Sequence, residues 1–403
     1  MHLLALDAYV ADWLNLALRW LHVIAGIAWV GASFYFIALD NHLRPPARTE
    51  DARRGVGGES WEIHGGGFYR VEKFKLAPAR VPEPLHWFKW EAYTTWLSGF
   101  ALFVVLYYLN AGDYLVDRSV TTLSTGWLIG ISIALLVVAW VVYDLLCRLL
   151  EASEGVLAAL ILGLTVLAAW GSYQLFSSRA AWIQVGAMLG TIMAANVFFA
   201  IIPAHRQLVR AKERGEEPDP KWNARGKQRS VHNNYLTLPV VLAMISNHFG
   251  FAYGRTSGWA VLVALMIVGA VVRHYFNLRH QGWNVWPLLV ASAAALAAVA
   301  WLIRPEPVSL SAAATGDKVS FARAQAIVAD RCVTCHSLHP TRPGFTTAPK
   351  GIAFDTPDEI VGRASLIDQW AVRSRAMPLG NATGMTDAER AELGAWIAQG
   401  AHR

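Results

Sequence analysis

The chain has 403 residues, of which 55% are hydrophobic and only 16% charged, with a formal net charge of +6 and three cysteines. Soluble domains carry about 25% charged residues, so the deficit excludes an ordinary soluble protein over most of the length. Three cysteines exclude a disulfide framework. The positive excess lies in loops between apolar runs, so membrane lipid is an expected partner and nucleic acid is not.

Eight runs are apolar enough for spans, at about 14–39, 92–110, 126–148, 155–176, 181–202, 235–253, 257–278 and 283–303, since roughly 20 residues cross a hydrocarbon core. Their uninterrupted length favours helices over barrel strands. The first run is preceded by Asp7 and Asp12 rather than Lys or Arg, so it reads as a retained span and not a cleaved signal. The loop from about 41 to 90 holds Arg44, Arg48, Arg53, Arg54, Arg70, Lys73, Lys75, Arg80 and Lys89. The loop from about 203 to 234 is equally basic, whereas the opposite side has only Arg118, Arg179 and Arg255 in its short loops. The positive-inside rule then puts the rich loops in the cytoplasm and both termini outside.

Within the first basic loop, apolar residues alternate from Trp61 to Phe74 on both sides of Gly65-Gly66-Gly67. That pattern predicts a β-hairpin, which either covers the cytoplasmic mouth or decorates the loop. Cys147 stands alone in the third span and reads as a small buried hydrophobe. After the last span, residues 305–317 read as a linker (Arg304-Pro305-Glu306-Pro307, then small residues), and from 318 the composition is soluble. The expected division is a membrane domain over 1–304 and a small soluble domain over 318–403, all-α apart from the hairpin.

In the soluble part, Cys332-Val333-Thr334-Cys335-His336 is the C-x-x-C-H signature of covalent haem attachment. Two thiols at that spacing can close thioethers onto one porphyrin, and His336 is placed to ligate the iron. A zinc or redox pair is the competing reading. One covalent haem c is therefore expected, on the outer face. In bacteria this face is where such haem is attached, and it is also the side to which eight spans return the chain. The expected location is the bacterial cytoplasmic (inner) membrane, with the N-terminus and haem domain periplasmic.

Polar groups inside spans are functional suspects. His22 on the first span and His248 at the end of the sixth fall at like depth and could ligate a b-type haem from opposite faces. The alternative is that each bonds a neighbouring helix or faces headgroups. Toward the cytoplasmic mouth lie His86, Trp87, Lys89, Trp90 and Glu91, then His205, then His232-Asn233-Asn234-Tyr235, and then Arg273, His274 and Asn277. Converging, they would make a pocket for a flat, polar, anionic heterocycle, with Glu91 as general base and His86, His232 and Arg273 as further site residues. Snorkelling and helix capping are the ordinary roles of such groups.

From 318 onward a helix, the C-x-x-C-H signature, Ala376-Met377-Pro378 and a last helix with Leu393 and Trp396 resemble a class I cytochrome c. The resemblance implies Met377 as distal iron ligand, with Met385 nearby as an alternative, and an aromatic contact of Phe321 with Trp396. Over nearly the whole chain, the first span (Trp20 to Gly31), the hairpin, His86 to Ala92, and Ala376 to Thr386 resemble the bacterial membrane-bound, cytochrome-c-linked urate oxidases (urate hydroxylases). Leu379 departs from this pattern, where a second Pro is expected. The first span is also similar to that of a small haem-b membrane family linked to protoporphyrinogen oxidation, which favours His22 as a ligand.

The family resemblance implies purine catabolism: urate and water give 5-hydroxyisourate, two protons and two electrons. The electrons would pass to the c haem and onward to a soluble cytochrome c or terminal oxidase of the respiratory chain, without hydrogen peroxide. A core about 30 Å thick then separates cytoplasmic urate from the outer haem. Either the substrate site lies deep toward the outer face, or a further cofactor such as the b haem bridges the gap. A membrane cytochrome c that oxidises quinol is the alternative function, because the same His and Trp residues could bind a quinone ring.

Overall fold

A computed structural model describes residues 8–151, 153–304 and 318–403. The expected linker at 305–317, and residues 1–7 with Asp7, lie outside the described residues. The first 300 residues form a helical bundle. Its helices are α1 (Ala8–His42), α2 (Trp90–Phe103), α3 (Thr125–Leu149), α4 (Glu154–Leu175), α5 (Ser178–Glu213), α6 (Pro220–Ile245), α7 (Gly258–His280) and α8 (Pro287–Leu302). Five of these, α1, α3, α4, α5 and α7, are long and apolar enough to cross a membrane. Their outer faces carry the apolar side chains that lipid would cover, among them Trp20 and Ile27 on α1 and Val137 and Val141 on α3.

The other three expected spans are helical but differ in extent. Past Phe103, α2 widens into a π-helix over Val104–Tyr108. Helix α6 starts well ahead of the apolar run, on Pro220 with Asp219 capping Lys221 N at 2.9 Å. The Lys, Arg and Gln residues of its first half are competent helix formers, so the helix outruns the hydropathy signal. Its far end breaks near Ser246, whose hydroxyl donates to Ala243 O at 2.6 Å, a local bond that competes with helix continuation. The expected sixth span therefore stops at Ile245, followed by a 3-10 turn over Ser246–His248. Helix α8 is shortened by Pro287 at its start. In α5 a π segment over Asn196–Ile201, closed by Ile202 N bonding Val197 O, precedes Pro203, whose missing N–H interrupts the helical ladder.

The bundle core forms where α3 to α7 meet, around Leu157, Trp182, Leu189, Ala243 and Leu262. A Cβ on Gly186 would lie 2.5 Å from Ala243 Cβ, so glycine is what lets α5 and α6 approach.

The expected hairpin is present. Strand β1 (Val56–His64) pairs antiparallel with β2 (Gly67–Phe74), in a register that sets Trp61 opposite Arg70 and Ile63 opposite Phe68. Gly65 and Gly66 take φ of +58° and +81°, which a tight primed turn requires.

The tail is a small helical domain. Helix α9 (Phe321–Arg331) crosses α10 (Asp387–Ala398), with Phe321 and Trp396 ring centroids 6.0 Å apart over a core of Ile327, Val328, Ile360 and Leu393. It docks on the end of the bundle opposite the hairpin. Arg342 Nε donates to Asp113 at 2.8 Å, and Thr346 donates to Asp12 at 3.2 Å.

Candidate functional site

The tail first builds a cavity. At the end of α9 the chain turns tightly, with His336 N bonding Cys332 O at 2.8 Å, so that two thiols and an imidazole share one wall. His336 Nδ1 donates to Ile352 O at 2.9 Å. This leaves Nε2 as the free nitrogen, the arrangement of an iron-ligating histidine. Across from it, Met377 is held by its own N–H to Trp370 O at 2.9 Å and by Arg390 donating to its carbonyl at 2.7 Å. Cys332, Cys335, His336 and Met377 all line one cavity of about 220 Å³, whose walls are otherwise largely apolar, including Phe354, Leu366, Ile367 and Trp370. Met385 is buried in the core instead. Burial pushes the Cys332 thiol up to about 12 and raises Cys335, and it lowers His336, so the cavity is uncharged at these groups. The donor set is compatible with a porphyrin: two thiols that could form thioethers, and a nitrogen and a sulfur that could ligate an iron.

Three cavity residues come from the bundle: Asp113, Tyr114 and Arg179. The Arg179 guanidinium stands 5.0 Å from the Tyr114 ring centroid and donates to Asn247 Oδ1 at 2.9 Å, which also accepts from Tyr107 at 3.1 Å. The rings of Phe103, Tyr107 and Tyr114 follow at centroid separations of 4.9 and 6.0 Å. An aromatic series thus runs from α2 to the cavity wall.

At the other end of the bundle, three consecutive residues of α6 face three ways, about 100° apart on a helix. His232 Nδ1 accepts from Tyr143 at 2.7 Å, and its Nε2 donates to Glu154 at 3.2 Å. Asn233 bonds Asn196 at 3.0 Å, and Asn196 also donates to Tyr143 at 3.0 Å. Asn234 turns the opposite way, where its Oδ1 accepts from Arg273 Nε at 2.9 Å and from Asn277 Nδ2 at 3.0 Å. Phe34 of α1 lies over the Arg273 guanidinium at 4.0 Å.

The two arginines nearby differ in charge balance. Arg229 is fully buried but pairs with Asp144 at 2.8 Å. Arg273 is also buried and, among the described residues, has no acidic partner. Among the described residues, Arg273 Nη2, Asn234 Nδ2 and Asn277 Oδ1 are buried without a hydrogen-bond partner, as is Glu91 Oε2 at the start of α2. A buried cation without a counter-charge is costly. An anion offering both acceptor and donor edges would satisfy the Asn234–Arg273–Asn277 triad.

The expected site residues are thus not gathered in one pocket. Arg273 and His232 face opposite sides of α6, and His86 is exposed on the loop, edge-on to Phe88 at 4.7 Å. His22 Nδ1 donates to Thr95 O at 2.9 Å, with its ring pressed on Gly99, where a Cβ would lie 2.7 Å from Cε1. His22 therefore bonds its neighbour α2, while His248 is exposed beside Asn247. Tyr143, Asn196, Glu154 and Phe34 were not singled out from the sequence. The signal available for the first two was a single polar residue inside an apolar run.

Five membrane-length helices, a buried polar interior and a separate cavity-bearing tail define a polytopic helical membrane protein. Residues 8–304 match the family model described as urate oxidase, N-terminal, and the chain belongs to that family. No curated protein and no solved structure matches it. Family membership makes this a urate-oxidase-related oxidoreductase.

Proposed function

We propose that the bundle oxidises urate, and that the tail carries the electrons out through a covalently held c-type haem. The observation that carries this reading is the family match over residues 8–304. The overall change is urate plus water to 5-hydroxyisourate, two protons and two electrons. Arg273 and Asn234 would hold the anionic ring through their free N–H groups, Asn277 would accept from a ring N–H, and Phe34 would flank the site. Glu91 has a carboxylate oxygen free to take a proton from urate or from the attacking water. His232, bonded to Tyr143 and Glu154, serves as a supporting polar centre on the far side of α6.

Cys332 and Cys335 would anchor the haem, and His336 and Met377 would ligate its iron. When bound, it supplies a one-electron acceptor of raised potential. The distance between the two ends of the bundle favours a bridging group. We propose a b-type haem on His22, whose Nδ1 is bonded to Thr95 O and whose Nε2 has no hydrogen-bond partner among the described residues, with His248 as the second candidate ligand. The eight helices would cross the bacterial inner membrane with both termini and the tail periplasmic. The tail would deliver electrons to a soluble cytochrome c or terminal oxidase.

Adding urate without air to purified, quinone-free protein tests the reading. The α band of the c haem should appear in step with urate consumed, and a haem that stays ferric overturns it. A pyridine haemochrome spectrum with both b and c bands would support the bridging group, and a c band alone would dismiss it.

A further inference from the structure

Strands β1 and β2 lie back along α1. Near their open end, the backbones of Arg44 and Glu59 pair just past the end of that helix, with N to O at 2.9 Å. Lys73 reaches Asp40 at 2.6 Å, and nearer the turn Glu62 accepts from Tyr35 at 2.7 Å. Glu62 also stands 3.4 Å from His42 and so spans the face between residues 42 and 35. From open end to turn, the contacts move from 44 back toward 35, in the direction of the apolar middle of α1. Ile63, Phe68 and the Gly65–Gly66 turn lie further in that direction.

Polarity follows the same axis. Cross-strand pairs Glu59–Glu72, Trp61–Arg70 and Ile63–Phe68 share the face turned away from Tyr35. At the open end this face is closed by ion pairs, Arg70 bridging Asp51 and Glu59 and standing 3.3 Å from Glu72. Toward the turn it carries Trp61, Ile63 and Phe68, with Ile63 70% and Phe68 78% exposed. Such side chains, clustered and open, mark an interaction surface. At the level of α1 they approach, Tyr35 and Phe36 are themselves exposed, so the apolar tip continues the outer surface of a membrane-length helix.

We infer that the hairpin dips its turn into the lipid leaflet at this end of the bundle. Trp61 and Tyr69 take the headgroup boundary, where such amphipathic rings collect, and Ile63 and Phe68 sit deeper. His64, next to the turn, is amphipathic enough for the same boundary. Lipid is the occupant because the gradient from ion pairs to bare apolar rings runs along the direction in which α1 enters its apolar stretch. A protein partner would call for no such gradient.

The test uses the full chain in phosphatidylcholine nanodiscs, with nitroxides on Ile63→Cys, Phe68→Cys and, as the water-side reference, Glu50→Cys. Unsubstituted protein is the labelling blank. Power saturation should find labels 63 and 68 accessible to oxygen and shielded from a water-soluble nickel chelate, about 5–10 Å into the headgroup–acyl boundary, with label 50 open to the chelate. Equal chelate access at 63, 68 and 50 would overturn the inference. Shielding of 63 and 68 from both oxygen and chelate would also overturn it, in favour of contact with a second copy. All three positions are exposed, so the labels replace no packed side chain.

Discussion

Arg273 sits with its guanidinium under Phe34 and one nitrogen without a partner, and a cation so placed draws in an anion. Arg273→Lys keeps the charge but loses the planar fork. Since a hydrogen bond to a charged group contributes about 1.5–3 kcal/mol, KM for urate should rise about ten- to a hundredfold, with kcat much less affected. Arg273→Met should do worse, and an unchanged KM in both would remove Arg273 from the site. In the tail, Met377 lines the cavity while Met385 fills the core. Met377→Ala should therefore lower the haem potential and abolish the Met–iron absorption band, and Met385→Leu should leave both. Potentiometry with optical detection decides between them. Arg273 and His232 could be suspected from sequence because ionisable groups stand out at the ends of apolar runs. Their directions could not, because three neighbouring polar residues on α6 point three ways and only the partner helices decide which matters. Tyr143 and Asn196 escaped notice because one polar residue inside an apolar helix usually has an ordinary packing role.

At the scale of elements, hydropathy located the helices and the alternation around the glycines located the hairpin. It did not locate the breaks. The stop at Ser246 goes with one local hydrogen bond and the π segment at 196–201 stands just ahead of Pro203, features that leave no mark on an averaged apolar signal; nor does the π segment at 104–108. Helix α10 shows the opposite case, since its start carries a capping-box sequence, Thr386 followed three residues on by Glu389. Thr386 Oγ1 accepts from Glu389 N at 3.2 Å, while the Glu389 carboxylate accepts from Thr386 N at 2.8 Å. Arg331, donating to the same carboxylate at 2.8 Å, is the main cause holding Glu389 below the usual carboxylate range. A lowered folded value means that this stabilisation is complete above the unfolded value of about 4.3 and is lost as pH falls through the lowered one. Glu389→Gln should thus speed hydrogen exchange in α10 at pH 7, and it should flatten the loss of protection below about pH 4.3. Thr386→Ala should cost about 1 kcal/mol with the acid dependence kept. Exchange rates normalised to the unstructured chain, read by mass spectrometry on the full protein, separate the two.

On the scale of the whole molecule, the cavity is completed by residues from both parts, so the proposed passage of electrons from bundle to tail would depend on how closely the parts meet. That meeting rests on glycine. Gly254, just before α7, faces the carbonyl of Ser374, and a Cβ there would overlap its oxygen. Gly250 meets the Trp370 ring in the same way, and Gly380 of the tail meets Val116 O of the bundle. Backbone packed this tightly cannot accept a side chain without separation, whereas the Asp113–Arg342 ion pair is the partly exposed and more forgiving part of the contact. Gly254→Val should therefore push the tail off its seat while leaving its own core of Ile327, Leu393 and Trp396 intact. The c-haem spectrum should keep its shape and urate should still bind with an unchanged KM when an artificial acceptor takes the electrons, but anaerobic reduction of the tail by urate should slow sharply. Asp113→Asn should slow it much less, because the pair keeps partial contact with solvent and Asn still offers Arg342 an acceptor. Equal rates in Gly254→Val and the unsubstituted protein would show that electrons leave the bundle by a route that does not need this docked face.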